Sequence, residues 1–180
     1  MTTNLSVREL QPEDVPLITN YWLQTEPGFM EAMGVDLDKM PAEAFWYEML
    51  HQQIQTPYKE KQSYCTIWQM EGKAIGHCNV NKIIYGQEAY MHLHLWQKDS
   101  RQKGVGTQLV KMSLSYFFRN LQLKTVYCEP YALNPAPNKT LERVGFSFVK
   151  EYTTIPGFLN FEQPVCLWEM SEERFLTLGS

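Results

Sequence analysis

The chain has 180 residues, of which 44% are hydrophobic, and its 16 Lys and Arg against 20 Asp and Glu give a formal net charge of −4. This length and composition indicate one packed domain over residues 1–180; they exclude a disordered chain and give no support for nucleic-acid binding, which needs a concentrated basic surface. No apolar stretch approaches the roughly 20 residues that span a bilayer, and the N-terminus lacks a signal-peptide pattern, so we expect a cytoplasmic protein without a membrane partner.

Strand or helix periodicity appears in segments that follow the order β-α-α-β-β-β-α-β-α-β-β. Strands are predicted at residues 5–10, 63–70, 73–82, 89–96, 123–129, 146–154 and 165–170. Helices are predicted from 11 to about 24, from 41 to about 55, from the glycine turn at 101–106 to about 120, and from 134 to 144. Pro27 and Gly28 are expected to end the first helix, and residues 30–40 are expected to be irregular.

The order of these segments predicts how the sheet is arranged. The strands between residues 63 and 96 are joined by short turns, which is typical of an antiparallel meander. The strand at 123–129 follows a long crossover helix and should pair parallel to the strand at 89–96. We therefore expect an α+β (mixed α/β) fold in which helices cover a mixed sheet.

The cysteines are widely spaced, and each lies in a predicted strand: Cys65, Cys78, Cys128 and Cys166. Because no C-x-x-C pair is present, the spacing does not favour a zinc site or a thioredoxin-like site. We expect reduced thiols inside the core.

The strand at 89–96 separates two kinds of side chain. Its faces carry Met91, Leu93 and Leu95 on the apolar side and His92, His94 and Trp96 on the other. A polar turn and an apolar helix follow. Two closely spaced glycines before a helix let the backbone approach a phosphate, and the unpaired N–H groups of the helix start supply donors. The segment therefore predicts an anion cradle; a strand-to-helix turn with glycines for packing is the alternative.

Two motifs carry a resemblance to a known family. Arg101-x-x-Gly104-x-Gly106, between a strand and a helix, resembles the acyl-CoA pyrophosphate motif of the GCN5-related N-acetyltransferases (GNAT). The segment from Asn134 to Phe146 resembles the later motif of that family, which begins with Asn and ends in Glu-Lys-x-Gly-Phe. The resemblance implies the family's fold, a central twisted mixed sheet of about seven strands flanked by helices on both faces.

The resemblance also implies acetyl-CoA as the co-substrate, without a metal. In the family, backbone amides of the glycine turn hold the pyrophosphate, the pantetheine arm pairs with the end of the fourth strand, and the Asn of the later motif lies beside that arm. The residues implied for these contacts are Leu95, Gln97, Arg101, Gln102, Lys103, Gly104, Val105, Gly106, Thr107, Asn134 and Asn138. For Asn134, a turn-forming Asn before Pro is the alternative.

Glu129 and Pro130 refine the resemblance. They are similar to the acid-Pro pair of the aminoglycoside and siderophore-hydroxylysine acetyltransferase branch, which also tends to carry a histidine near the position of His92. One position departs from the family. Many members have a tyrosine four residues before the last glycine, proposed to protonate the leaving thiolate, and here that position is Leu141. That role is vacant or belongs to another group.

The family's chemistry is attack of a neutral amine on a thioester, which requires a base that removes a proton from the ammonium. His92 and His94 are the candidate bases, because an ordinary histidine titrates near neutral pH. His92 is preferred for its register to the glycine turn. Glu129 could orient the imidazole, attract the amine or relay a proton. A satisfied polar network is the alternative, and a His-x-His metal site lacks a third ligand.

We expect the acceptor to bind between two loops that carry carboxylate and aromatic side chains. Such side chains suit a cationic amine. These residues are Glu26, Glu31, Asp36 and Asp38 in the first loop, and Phe158, Phe161 and Glu162 in the second. A solvated acidic loop is the alternative. The indoles of Trp22, Trp46 and Trp68 are expected in the core.

The resulting hypothesis is an acetyl-CoA-dependent N-acetyltransferase that acts on a small cationic amine of the aminoglycoside, polyamine or hydroxylysine type. Acetylation of a protein N-terminus or lysine is the alternative within the enzyme class. A non-catalytic acyl-CoA sensor is the alternative from another class, and Leu141 favours it. A homodimer is an arrangement that the sequence allows.

Overall fold

The computed structural model describes residues 3–96 and 104–179. The strands form one sheet in the order β1-β2-β3-β4-β5-β7-β6. They are β1 (Leu5–Glu9), β2 (Tyr64–Met70), β3 (Lys73–Ile84), β4 (Glu88–Leu95), β5 (Thr125–Cys128), β6 (Ser147–Thr154) and β7 (Gln163–Ser171). The helices are α1 (Val15–Gln24), α2 (Pro27–Ala32), α3 (Glu43–Gln55), α4 (Val105–Leu121), α5 (Pro135–Val144) and α6 (Glu172–Leu178), and short 3-10 turns lie at Pro12–Asp14, Leu37–Lys39 and Tyr58–Glu60.

The sheet is mixed, as the segment order predicted. β1 to β4 pair antiparallel in sequence, and β4 then pairs parallel with β5 across the α4 crossover. β7 lies between β5 and β6 and pairs antiparallel with both. The parallel pair extends only as far as Met91 and Cys128. The catalytic region predicted from the sequence therefore begins where this pairing ends.

Helices cover both faces of the sheet, which confirms the predicted placement of helices on either side of it. Neighbouring residues of β2 show the division, because successive side chains of a strand point to opposite faces. Trp68 belongs to the core beneath α4, whereas Ile67 belongs to the core beneath α1 and α3. The apolar stripe of α4 is completely buried, with Leu109, Val110, Leu114 and Phe117 at 0% exposure. No helix within residues 3–96 and 104–179 is long and apolar enough to cross a membrane.

A buried polar contact fixes α4 over the sheet. The indole Nε1 of Trp68 donates to Oγ of Ser113 at 2.8 Å, and the hydroxyls of Ser113 and Thr66 are 3.0 Å apart. Because Thr66 uses its own proton toward the carbonyl of Cys78 at 3.1 Å, the Ser113 hydroxyl donates to Thr66. All three side chains are buried. Ser113 thus joins α4 to β2 inside an apolar core, and Thr66 extends the contact to β3.

Two short helices differ from the prediction. α1 ends at Gln24 as expected, but Pro27 begins α2 and does not simply end a helix, so the expectation that residues 30–40 are irregular was wrong over its first part. Proline is favoured in a first helical turn, where its missing N–H has no partner to lose. α6 was not predicted. It starts from Ser171, whose side chain accepts from the N–H of Arg174.

Replacement of Ser113 by alanine should lower the free energy of unfolding by about 1–3 kcal/mol, because the buried indole N–H of Trp68 would lose its acceptor. Urea unfolding followed by circular dichroism measures this change. Ser115→Ala is the matched control, since Ser115 lies on the exposed side of the same helix. Equal stability of the two variants would contradict the assigned role of the contact.

Candidate active site

A cleft of about 210 Å³ lies on the face of the sheet that α1 and α3 cover. Its floor is formed by β3 and β4, and its walls are formed by α1, α3, the connection between β5 and α5, and the loop between β6 and β7. The two predicted catalytic residues of β4 and the one after β5 all line it: His92, His94 and Glu129. The three residues that were predicted to be catalytic therefore share one cavity.

The cleft exists because β4 and β5 part. Cys128 Sγ donates to the carbonyl of Met91 at 3.0 Å, at the last parallel pair. Beyond it β4 stays paired with β3, whereas the chain after β5 follows β7, with the N–H of Cys166 donating to the carbonyl of Pro130 at 3.1 Å. The far edge of β4 therefore has no strand partner among the described residues after Met91.

The exposed edge of β4 presents backbone groups to the gap. The N–H of Trp96 points to β3, where it donates to Ile75 at 2.9 Å, and the Met91 carbonyl points toward β5. Since backbone groups alternate in direction along a strand, the N–H and C=O of Leu93 and Leu95 face the gap. A ligand that pairs like a strand would find its partners there.

His92 and Glu129 follow the last parallel pair on their two strands and lie on the same face. His92 Nε2 is 3.1 Å from Oδ1 of Asn81. Because an amide oxygen only accepts, the proton of a neutral His92 lies on Nε2 and Nδ1 is left unprotonated. Glu129 Oε1 accepts from the Tyr152 hydroxyl, and Oε2 is 3.8 Å from Nζ of Lys82. Within the described residues no hydrogen bond joins His92 to Glu129.

His94 belongs to an aromatic network beneath α1. Its ring stacks on that of His77 with centroids 4.6 Å apart, and its Nδ1 is 3.2 Å from the hydroxyl of Tyr21. The indole of Trp96 donates to Nδ1 of His77 at 2.7 Å, so that nitrogen carries no proton. His77 is a cleft residue that was not predicted; it lies opposite His94 in the register of β3 and β4, which the sequence does not specify.

Burial keeps these histidines neutral. It lowers the pKa of His77 from its ordinary value near 6.5 to about 3, with a smaller contribution from His92. Burial, and secondarily the ammonium of Lys82, lowers the pKa of His92 to about 4. The pKa of His94 is lowered well below its ordinary value for the same first reason, with His77 and His92 adding to it. Each imidazole is therefore neutral at neutral pH, with one ring nitrogen that can accept a proton.

The start of α4 has the backbone geometry expected of the anion cradle. Gly104 precedes the helix with φ of +88°, a left-handed conformation that glycine adopts without strain. The first N–H groups of the helix, those of Val105, Gly106 and Thr107, have no carbonyl one turn earlier within the helix, so they can donate to an anion. The predicted residues Gln97, Arg101, Gln102 and Lys103 lie outside the described part of the chain.

The later motif supplies Asn134 and Pro137 to the lining of the cleft, whereas Asn138 and Leu141 pack elsewhere. Asn134 lines the cleft and precedes α5 without capping it through its side chain. Asn138 instead donates to the carbonyls of Tyr131 and Asn134 and accepts from the Trp168 indole at 2.8 Å. Leu141 is completely buried in the core. Its side chain therefore packs in the core and does not line the cleft. Tyr131 is a tyrosine in the described lining.

The acceptor end of the cleft differs from the expectation. Glu26, Glu31 and Asp38 are exposed, and Asp36 pairs with Lys39 at 3.3 Å; none of these acids lines the cleft. Of the second loop, Phe158 lines the cleft, and neither Phe161 nor Glu162 does. The indole of Trp46 is buried in a core cluster, as expected, with Trp22 packed against that cluster, and both residues also line the cleft. Within the described ranges, no cluster of three His, Cys, Asp or Glu side chains could hold a metal.

The neutral histidines predict how stability depends on pH. A histidine with a depressed pKa takes up a proton on unfolding, so the free energy of unfolding falls as pH drops below about 6.5, by about 1.4 kcal/mol per pH unit for each such group. His77→Gln, which keeps an acceptor for the Trp96 indole, should show a shallower fall between pH 6.5 and 4.5. Urea unfolding across this range measures it.

The control for that experiment is His51→Gln, on α3 and outside the cleft lining, which should retain the wild-type slope. Identical slopes for wild type and His77→Gln would show that His77 is protonated in the folded protein.

Comparison with known proteins agrees with this geometry. A family model described as an acetyltransferase (GNAT) domain matches residues 4–147. No protein with a curated function matches the sequence.

Solved structures share the fold at low identity. A spermidine N-acetyltransferase from Vibrio cholerae in complex with CoA and spermine aligns with a TM-score of 0.76 and 19% identity, covering 96% of this chain and 98% of its own. The aminoglycoside acetyltransferase AAC(6')-Ib in complex with coenzyme A gives 0.74 and 15%, covering 98% and 100%. The ribosomal L7/L12 alpha-N-protein acetyltransferase RimL gives 0.76 and 14%, covering 96% and 97%. With its sheet, its glycine cradle and the family model in agreement, the chain belongs to the GNAT acetyltransferase family.

Proposed function

We propose that this protein transfers the acetyl group of acetyl-CoA to a primary amine of a small cationic molecule. The observation that carries the proposal is the gap between β4 and β5, which lies beside His92 and Glu129 in a single cleft. The relatives support the same chemistry, since the structures named above hold CoA, spermine or, in a further AAC(6')-Ib structure, kanamycin.

The chain has groups of the right kind to hold acetyl-CoA. The first N–H groups of α4 would bind the pyrophosphate, where the helix dipole also favours an anion. The backbone groups of Leu93 and Leu95 in the gap would pair with the amides of the pantetheine arm, and the Asn134 amide would lie beside it. Bound acetyl-CoA supplies the reactive thioester; the protein fixes its position against the amine.

His92 would remove the proton from the ammonium, and Glu129 would be its electrostatic partner. Only a neutral amine attacks a thioester, and Nδ1 of His92 is an unprotonated nitrogen on a cleft residue. The depressed pKa of His92 makes the free imidazole a weak base. Glu129, whose side chain is 5% exposed, would stabilise the imidazolium as it forms and hold the ammonium before reaction. His94, already engaged with Tyr21 and His77, would position the acceptor.

We further propose that residues 1–180 form one acyl-CoA N-acyltransferase domain and that the protein is cytoplasmic. The single sheet that runs from β1 to β7 supports the first proposal. The thiols of Cys65, Cys78, Cys128 and Cys166 are unpaired, which is usual in a reducing compartment and supports the second.

Gly104→Glu should abolish detectable acetyl-CoA binding in titration calorimetry, because a carboxylate at the start of α4 would repel the pyrophosphate. Gly104→Ala is the matched control: it imposes the same penalty of a side chain at positive φ, of about 1–2 kcal/mol, without the charge. It should keep measurable affinity. Wild-type affinity in Gly104→Glu would refute the cradle.

His92→Ala should lower kcat about 100-fold or more, the usual contribution of a general base, with little change in KM for acetyl-CoA. The assay is free-thiol release over a panel of amines, and a kinetic pH profile should lose its limb that reports the base. His51→Gln serves as the control outside the cleft. A normal profile in His92→Ala would remove His92 as base, and saturable acetyl-CoA binding without turnover on any amine would favour a non-catalytic sensor.

A further inference from the structure

We infer that the acceptor carries a single amino group on an apolar body about the size of one aromatic ring, in contrast to a polyamine or an aminoglycoside. The inference rests on the proposed function and deepens it by naming the substrate class. It is carried by two properties of the cleft, the sparsity of its charges and the aromatic character of its outer wall.

The cleft can hold one positive charge. Of the described residues that line it, Glu129 alone is a carboxylate, and none is Lys or Arg. Glu129 already accepts from Tyr152 and has Lys82 at 3.8 Å. The three histidines of the lining are neutral or cationic in either protonation state, so they offer an ammonium no anionic partner. A second ammonium inside the cleft would be desolvated without compensation, which costs several kcal/mol.

The outer wall is built of aromatic faces. The rings of Trp22 and Trp46 are parallel to within 4° with centroids 5.3 Å apart. The ring of Phe158 lies 6.3 Å from that of Trp46, and that of Phe45 lies 6.1 Å from Phe158. Phe45 does not line the cleft, but Phe158 does and remains 56% exposed, so an apolar group packed against the ring of Phe158 would remove aromatic surface from water.

The size of the cleft agrees with one ring and a short chain. A cavity of about 150 Å³ is enough to hold benzene, and this cleft measures about 210 Å³. The polar end beside His92 and Glu129 would receive the amino group, and the end beside Trp46 and Phe158 would receive the body. Met33, Val35 and Leu50 line the cleft as well and add apolar surface to it.

The test compares 2-phenylethylamine and tryptamine with spermidine and kanamycin as acceptors, with acetyl-CoA at saturation and free-thiol release as the readout. We expect kcat/KM to favour the two aromatic monoamines by about tenfold or more, the contribution of one or two aromatic contacts. Equal or higher kcat/KM for spermidine or kanamycin would overturn the inference and leave the proposed function standing.

A binding measurement keeps the two proposals apart. Calorimetric titration of the CoA-saturated protein with 2-phenylethylamine and with spermidine does not depend on turnover. Tighter binding of 2-phenylethylamine supports the inference even if no amine is acetylated, a result that would refute the proposed function alone. Tighter binding of spermidine overturns the inference.

Phe158→Ala tests the wall directly, because this side chain is half exposed and its loss should not prevent folding. We expect KM for 2-phenylethylamine to rise about two- to tenfold while KM for acetyl-CoA stays the same. Phe148→Ala is the matched control, since Phe148 is 53% exposed, lies on β6 and does not line the cleft. Equal KM values for the amine in Phe158→Ala and Phe148→Ala would overturn the inference.

Discussion

The parallel pairing of β4 with β5 ends after four residue pairs, at Met91 and Cys128, because the chain beyond β5 follows β7. The residues of the proposed active site lie around that parting. Among the described residues it leaves the backbone of Leu93 and Leu95 without a strand partner, and His92 and Glu129 both line the cleft that it opens. A longer β5 pairing would close the cleft with ordinary sheet hydrogen bonds.

The two faces of the sheet differ in composition. The core under α4 is largely apolar and includes the buried hydroxyl contacts of Ser113, so burial on this face stabilises the fold. Under α1 and α3 the sheet carries histidines, each of which has one ring nitrogen hydrogen-bonded to Tyr21, Asn81 or Trp96. Such a network is stable only while the imidazoles stay neutral, so the same burial that prepares a base also makes this half of the protein sensitive to acid.

Strand alternation and turn spacing predicted most of the fold, because each strand pairs with a neighbour close in sequence or follows one crossover helix. Alternation also put His92 and His94 on one face, and the parallel crossover brought Glu129 to them. The partners Asn81, Lys82 and Tyr152 could not be predicted, since they depend on the register between strands. Trp46 is in the core as expected, but its place beside the cleft could not be predicted, because a periodic pattern shows which side of a helix is apolar and not whether a cavity lies next to that side.

Glu129 is the one carboxylate in the described lining of the cleft, and Lys82 offsets its charge at 3.8 Å. The paired charges of Glu129 and Lys82 therefore project little electric field into the solvent, even though the proposed acceptor is a cation. Encounter would proceed by ordinary diffusion and be nearly insensitive to ionic strength, unlike the steered capture of ligands by strongly charged clefts. The cleft would then discriminate between amines after they enter, because an apolar group displaces water from the aromatic wall. This would change the dissociation rate of an amine more than its association rate.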